Sequence, residues 1–126
     1  MPIGRLHHTI FDCPDPVALA RFYSDLLGAP ITYTDEDFAV VSVDNRTSGL
    51  AFQRSPDQRP ATWPDPEVPQ QIHLDVMVDD QAKAHDQVLA LGATPLPGSY
   101  IYADPAGHPF CLIPRPHWAE PVNTAG

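Results

Sequence analysis

Four side chains that can coordinate an ion or hydrogen-bond a small ligand stand in paired positions along this chain. They are His8 and His73, 65 residues apart, and Gln53 and Cys111, 58 residues apart. A neutral imidazole offers one lone pair, a carboxamide a weak oxygen donor, and a thiolate a strong soft donor. Asp75, two residues beyond His73, adds a carboxylate. It can serve as a general base or orient an imidazole from outside, or it can simply be solvated at a cleft mouth. Singly, each residue has an ordinary structural explanation; a cysteine is most often a small buried hydrophobe. The pairing gives the set its interest.

The elements that must position these residues repeat. Residues 4–54 open with a β-rich stretch, RLHHTIFDC, followed by PDPVALARFYSDLLG. Asp15 is the expected N-cap, Pro16 the first helical residue and Gly28 the stop. Val17, Ala20, Phe22, Tyr23, Leu26 and Leu27 form the apolar stripe. Three short β-like runs follow, at 30–34, 38–43 and 49–54. Residues 71–113 repeat the plan: strand QIHLDVMVD, helix DDQAKAHDQVLALGA stopped at Gly92, then runs at 94–96, 99–103 and 110–113. Between them, 55–70 carries too many prolines for a helix or central strand and is predicted to be a linker. Residues 114–126 are predicted to be an extended tail.

Strand parity assigns faces. Ile72, Leu74, Val76 and Val78 are aliphatic and pack on the helix, so His73, Asp75 and Met77 point to the open face. The 65-residue offset sends His8, Ile10 and Asp12 to the same face of the first unit. A single bulge would exchange His8 for His7. Phe52 and Phe110 are read as equivalent core residues, with Gln53 and Cys111 on the opposite side. Tyr100 and Tyr102 fall on one side of their strand and line the pocket or pair across the sheet. Trp63 either folds over the cleft or anchors the linker. His85 reads as solvated and His108 as exposed.

Composition excludes several functions. The chain has 126 residues, is 43% hydrophobic and carries a net charge of -9. An acidic surface repels phosphate backbones, which argues against nucleic acid as a partner. The basic residues form no cluster for anionic membranes, and no apolar run is long enough to span one. The N-terminal residues show no secretory signal, and two distant cysteines are no disulfide framework, so a cytoplasmic location is expected. Fingerprints of serine hydrolases, NTPases and dinucleotide-binding proteins are absent.

HHTIFDC, DPVALARFYSDLLG, GLAFQ, QIHLDVMVDD and DPAGHPFCLIP together resemble the vicinal oxygen chelate superfamily, which includes glyoxalases, bleomycin resistance proteins and dioxygenases. The likeness runs over about residues 5–114 and is strongest to its glyoxalase-like domain subgroup. It implies an α+β fold of two tandem βαβββ units, forming a curved, largely antiparallel eight-stranded sheet with helices on the outer face. It implies a divalent metal (zinc, nickel, iron or manganese) held by His8, Gln53, His73 and Cys111, although the family often has a carboxylate where Cys111 stands. The activity it implies is metal-assisted lyase, isomerase or dioxygenase chemistry on a small oxygenated molecule. Asp75 would then be the catalytic base, with Met77, Trp63, Tyr102 and Ile10 contacting the substrate. The alternative is a protein that sequesters a drug or natural product without reaction. A homodimer is expected for either.

Overall fold

The computed structural model describes residues 1–123; residues 124–126, the end of the expected tail, lie outside it. The chain divides into two compact units, residues 1–58 and Arg59 onward. Each is a βαβββ unit.

In the first unit, β1 (His8–Cys13) leads into α1 (Pro16–Leu27), then β2 (Ile31–Thr34), β3 (Phe38–Val41) and β4 (Gly49–Arg54). The sheet order is β1-β4-β3-β2. β1 pairs with β4 in parallel and the other two pairs are antiparallel. A parallel pair needs a crossover, which α1 begins. The Asp15 carboxylate accepts from the Ala18 amide at 3.1 Å, satisfying one donor that the helix start leaves without a partner. Gly28 closes the helix in the left-handed conformation at φ 68°, where a side chain would be strained. Phe22 and Tyr23 of α1 are buried together with Phe11 of β1 and Phe52 of β4. Tyr23 stacks on Phe52 at 5.4 Å, and Phe11 packs against both. Of the predicted stripe, Ala20, Phe22 and Tyr23 are buried, whereas Leu27 is exposed and Leu19 is buried in addition.

The second unit runs β5 (Leu74–Val78), α2 (Gln81–Leu91), β6 (Thr94–Pro95), β7 (Ile101–Ala103) and β8 (Pro109–Pro114), in the order β5-β8-β7-β6. Here β5 and β8 form the parallel pair. Asp80 caps α2 through the Lys83 amide at 3.1 Å, and Gly92 ends it at φ 111°. Tyr102 stacks on Phe110. The strand predicted at 71–79 is shorter than expected: Gln71 has a φ of 64°, outside strand conformations, and pairing begins at Leu74.

The proline-rich segment has no helix or strand, as expected, but it is firmly attached. Its Ala61 amide donates to the Gly107 carbonyl, and the Trp63 indole N–H donates to the Pro97 carbonyl at 3.1 Å. Pro60 lies so close to Gly107 that any Cβ there would collide with it. The Thr62 and Val68 backbones are linked, and Val68 is buried. Trp63 therefore anchors this segment. His108 also departs from expectation. It is 2% exposed, and its Nδ1 lies 2.9 Å from Asp104, whose carboxylate also accepts from the Ala106 and His108 amides.

Beyond β8, Asp79 collects the chain. Its carboxylate accepts from the Val122 and Asn123 amides at 2.9 and 3.0 Å and pairs with Arg115 at 2.8 Å. Those two amides, and then Arg115, hold the Asp79 carboxyl below the usual carboxylate range. A depressed pKa stabilises the fold above the unfolded value of about 3.9 and loses that contribution as pH falls through the folded value. Hydrogen exchange at the Val122 and Asn123 amides is therefore expected to be slow at neutral pH. It should speed up as pH drops below about 4, relative to intrinsic rates, and both amides should be unprotected at every pH in Asp79→Ala, which removes both acceptor oxygens. In the core, Phe52→Ala should cost about 3–5 kcal/mol in denaturant unfolding.

Candidate functional site

Pairing register decides which predicted site residues meet. Helix caps Asp15 and Asp80 keep the 65-residue offset between units, and so do the ends of β1 and β5, Cys13 and Val78. Cys13 pairs with Arg54 and Val78 with Pro114. Equivalent positions in β4 and β8 are thus 60 residues apart rather than the expected 58. Cys111 corresponds to Ala51, not Gln53, and Gln53 corresponds to Ile113. A two-residue shift preserves strand parity, so the faces assigned to β1, β4, β5 and β8 are kept while the partners change.

In the first unit this separates two expected ligands. His8 is level with Gly49, and Gln53 is level with Asp12, four positions along the pair. At about 3.3 Å per residue their backbones are about 13 Å apart along the strands. Side chains standing off the sheet at that spacing do not converge on one ion. Gln53 instead sits with Asp35, Glu36 and Asp37 at the edge of the sheet. His8 and Ile10 line a cavity of about 500 Å³ on the open face, with Phe38 and Val40 of β3 and the loop from Asp44 to Ser48. His8 is half-buried, and its Nδ1 accepts from the Gly49 amide at 3.0 Å.

In the second unit the expected groups do converge. His73 stands just before β5, while Asp75 is level with Cys111 on β8. His73 Nε2 lies 3.1 Å from Asp75 Oδ1 and 3.2 Å from Cys111 Sγ. Among the described residues these three form the one cluster of His, Cys, Asp or Glu ligand atoms lying within 4.8 Å of one another. His73 and Asp75 are exposed and Cys111 is half-buried. Burial, and then the Asp75 carboxylate, push the Cys111 thiol above its ordinary pKa. Without a cation the sulfur remains protonated at neutral pH.

The geometry does not make a cysteine–histidine–carboxylate relay. Such a relay uses one ring nitrogen for the thiol and the other for the carboxylate. Here both contacts fall on Nε2, the arrangement expected when nitrogen, oxygen and sulfur face a common point. An N,O,S donor set at that spacing fits a borderline-soft divalent ion such as zinc.

Of the remaining candidates, Met77 is exposed two residues beyond Asp75 on the same face. Tyr102, expected to contact substrate, is corrected: it is 1% exposed, and its hydroxyl lies 2.6 Å from His85 Nδ1. It packs under α2 because its strand parity places it with Phe110, opposite Cys111. His85, read as solvated, is half-buried by that same contact.

The glyoxalase-like domain family model matches residues 8–113. The chain belongs to this family, within the vicinal oxygen chelate superfamily. No curated protein matches it. Among solved structures, it is similar to the fosfomycin resistance protein FosX from Mesorhizobium loti, at 16% identity and a TM-score of 0.65, covering 94% of this chain and 96% of that one. It is similar to oxidase ChaP-H1 at 25% identity and a TM-score of 0.59, covering 92% and 99%. It is also similar to a bleomycin-binding protein solved with bleomycin, at 19% identity and a TM-score of 0.56, covering 90% and 99%. No helix among the described residues is long and apolar enough to cross a membrane.

The raised thiol pKa has a direct consequence. In metal-free protein, Cys111 should alkylate slowly with iodoacetamide at neutral pH and accelerate only in alkaline solution. Asp75→Asn removes the neighbouring negative charge and should speed alkylation at a given pH. Peptide mapping separates this signal from Cys13, which is fully buried. A rate already maximal at pH 7 would contradict the assignment.

Proposed function

We propose that this chain is a metal-assisted enzyme acting on a small oxygenated molecule, by lyase, isomerase or dioxygenase chemistry. The observation that carries this reading is the convergence of His73 Nε2, Asp75 Oδ1 and Cys111 Sγ. These three groups would hold the ion. Asp75, read from the sequence as a base, joins the ligands because its Oδ1 faces the same point as the imidazole nitrogen. The thiol gives up its proton on binding, since the thiolate is the ligand form. When bound, the ion would supply Lewis acidity to a substrate oxygen. Met77 offers an apolar contact on the same face of the strand. Cys13 and Cys111 form no disulfide, which supports a reducing, cytoplasmic setting, and the exposed Tyr33, Val43 and Trp118 support a homodimer.

A second reading, a protein that binds its ligand without reaction, is favoured by the cavity of about 500 Å³ on the first unit. That volume suits a small organic ligand, and Ile10, Phe38 and Val40 give it an apolar floor.

Elemental analysis of untagged protein separates the two readings. The enzyme reading expects about one divalent ion per chain, of the zinc class. His73→Ala and Cys111→Ser should each lose it, while Gln53→Ala keeps it. Protein that takes up no zinc, nickel, iron(II) or manganese(II) yet still binds an apolar ligand would establish the second reading instead.

A further inference from the structure

His8 has a hydrogen-bonding state that the structure determines. A backbone N–H can only donate, so the Gly49 amide must meet a lone pair on His8 Nδ1. An imidazolium carries protons on both nitrogens, so a ring that accepts at Nδ1 is neutral. A neutral imidazole has one lone pair and one proton. With Nδ1 occupied, the proton is on Nε2. Gly49 lies so close to the Val41 carbonyl and Ser42 that a Cβ there would collide with both, so only glycine fits at this position. Ser42 is itself fixed by bonds to the Pro30 and Thr47 carbonyls.

The surroundings of His8 agree. The register equivalents of Asp75 and Cys111 in this unit are Ile10 and Ala51, neither of which can ligate an ion. Arg46 also lines this cavity, together with Asp44, whose carboxylate accepts from the Arg46 amide at 2.8 Å.

We propose that His8 is not an ion ligand but a hydrogen-bond donor, offering Nε2–H to an acceptor oxygen of an apolar organic anion, a carboxylate or phenolate, lying on Ile10, Phe38 and Val40. Arg46 supplies the matching charge. Gly49 is the positioning residue that fixes the tautomer. The inference rests on reading this cavity as a ligand site, whichever of the two proposed functions holds.

Nitrogen NMR of the histidine rings in the full, metal-stripped chain tests it without any variant. His8 should show an unprotonated Nδ1 and a protonated Nε2. Naphthoate should then shift the His8 ring signals, and His8→Ala should weaken its binding about tenfold, the worth of a hydrogen bond to a charged group. Naphthylmethylammonium, with the same apolar body and a donor cation, should bind far more weakly. Zinc should move the His73 signals and leave those of His8 in place. A proton on Nδ1, a His8 ring that responds to zinc, or equal binding of the two naphthyl probes would overturn the proposal. Failure of zinc to move His73 would count against the ion site alone, leaving the His8 assignment to be judged on its tautomer and its response to naphthoate.

Discussion

Each unit depends on a parallel pairing between its first and last strands. Strands that run the same way cannot be joined by a hairpin, so the chain must leave along a helix and return through two antiparallel strands. The helix has to cover one face of the resulting sheet. That face carries Phe11 and Phe52 in one unit and Tyr102 and Phe110 in the other, and in both a pair of stacked rings fills the space beneath the helix. Burying these rings is worth several kcal/mol per side chain. The opposite face is thereby left for polar groups. The same pairing fixes, residue by residue, which of those groups lie side by side.

This constraint explains what could be read from the sequence. Element order, helix caps and face parity follow from local signals: Asp15 and Asp80 before the helices, Gly28 and Gly92 after them, and aliphatic residues alternating through 72–78. These signals are short-range and the structure keeps them. Register is long-range. GLAFQ and GHPFC align well as strings, yet the strands they contribute are offset by two residues, and no turn or cap in the sequence reports that offset. Hence Gln53 seemed the counterpart of Cys111 when Ala51 is. His108 was misread for a similar reason. A histidine in a DPAGH turn looks exposed until Asp104 is seen to turn its carboxylate inward to meet it. Tyr102 was misplaced because only its pairing opposite Phe110, a matter of register, puts it under the helix.

With the register corrected, the two units are chemically unequal. The positions of His73, Asp75 and Cys111 are occupied in the first unit by His8, Ile10 and Ala51. The histidine is common to both, and its neighbours decide its role. Beside Ile10 and Ala51, the first imidazole finds its partner in the Gly49 backbone and presents a proton. Beside a carboxylate and a thiol, the second directs Nε2 at two groups that it cannot fully satisfy alone. A neutral Nε2–H can donate to Asp75 but then offers no lone pair to the Cys111 thiol. A bare Nε2 can accept from the thiol but then faces the carboxylate lone pair to lone pair.

A cation would remove that conflict. Facing one, the imidazole lone pair, the carboxylate oxygen and the thiolate are all attracted to the same point, and the contacts that compete in its absence become cooperative. The burial that raises the Cys111 pKa then works in the ion's favour, because a thiolate in a partly dry site is screened less from the charge it neutralises. A thiolate from Cys111 would therefore not weaken such a site. It would shift its preference away from hard ions that favour oxygen and toward those that accept sulfur. The exposed Asp75 contributes the carboxylate that Cys111 does not, from the neighbouring strand and at the same register level.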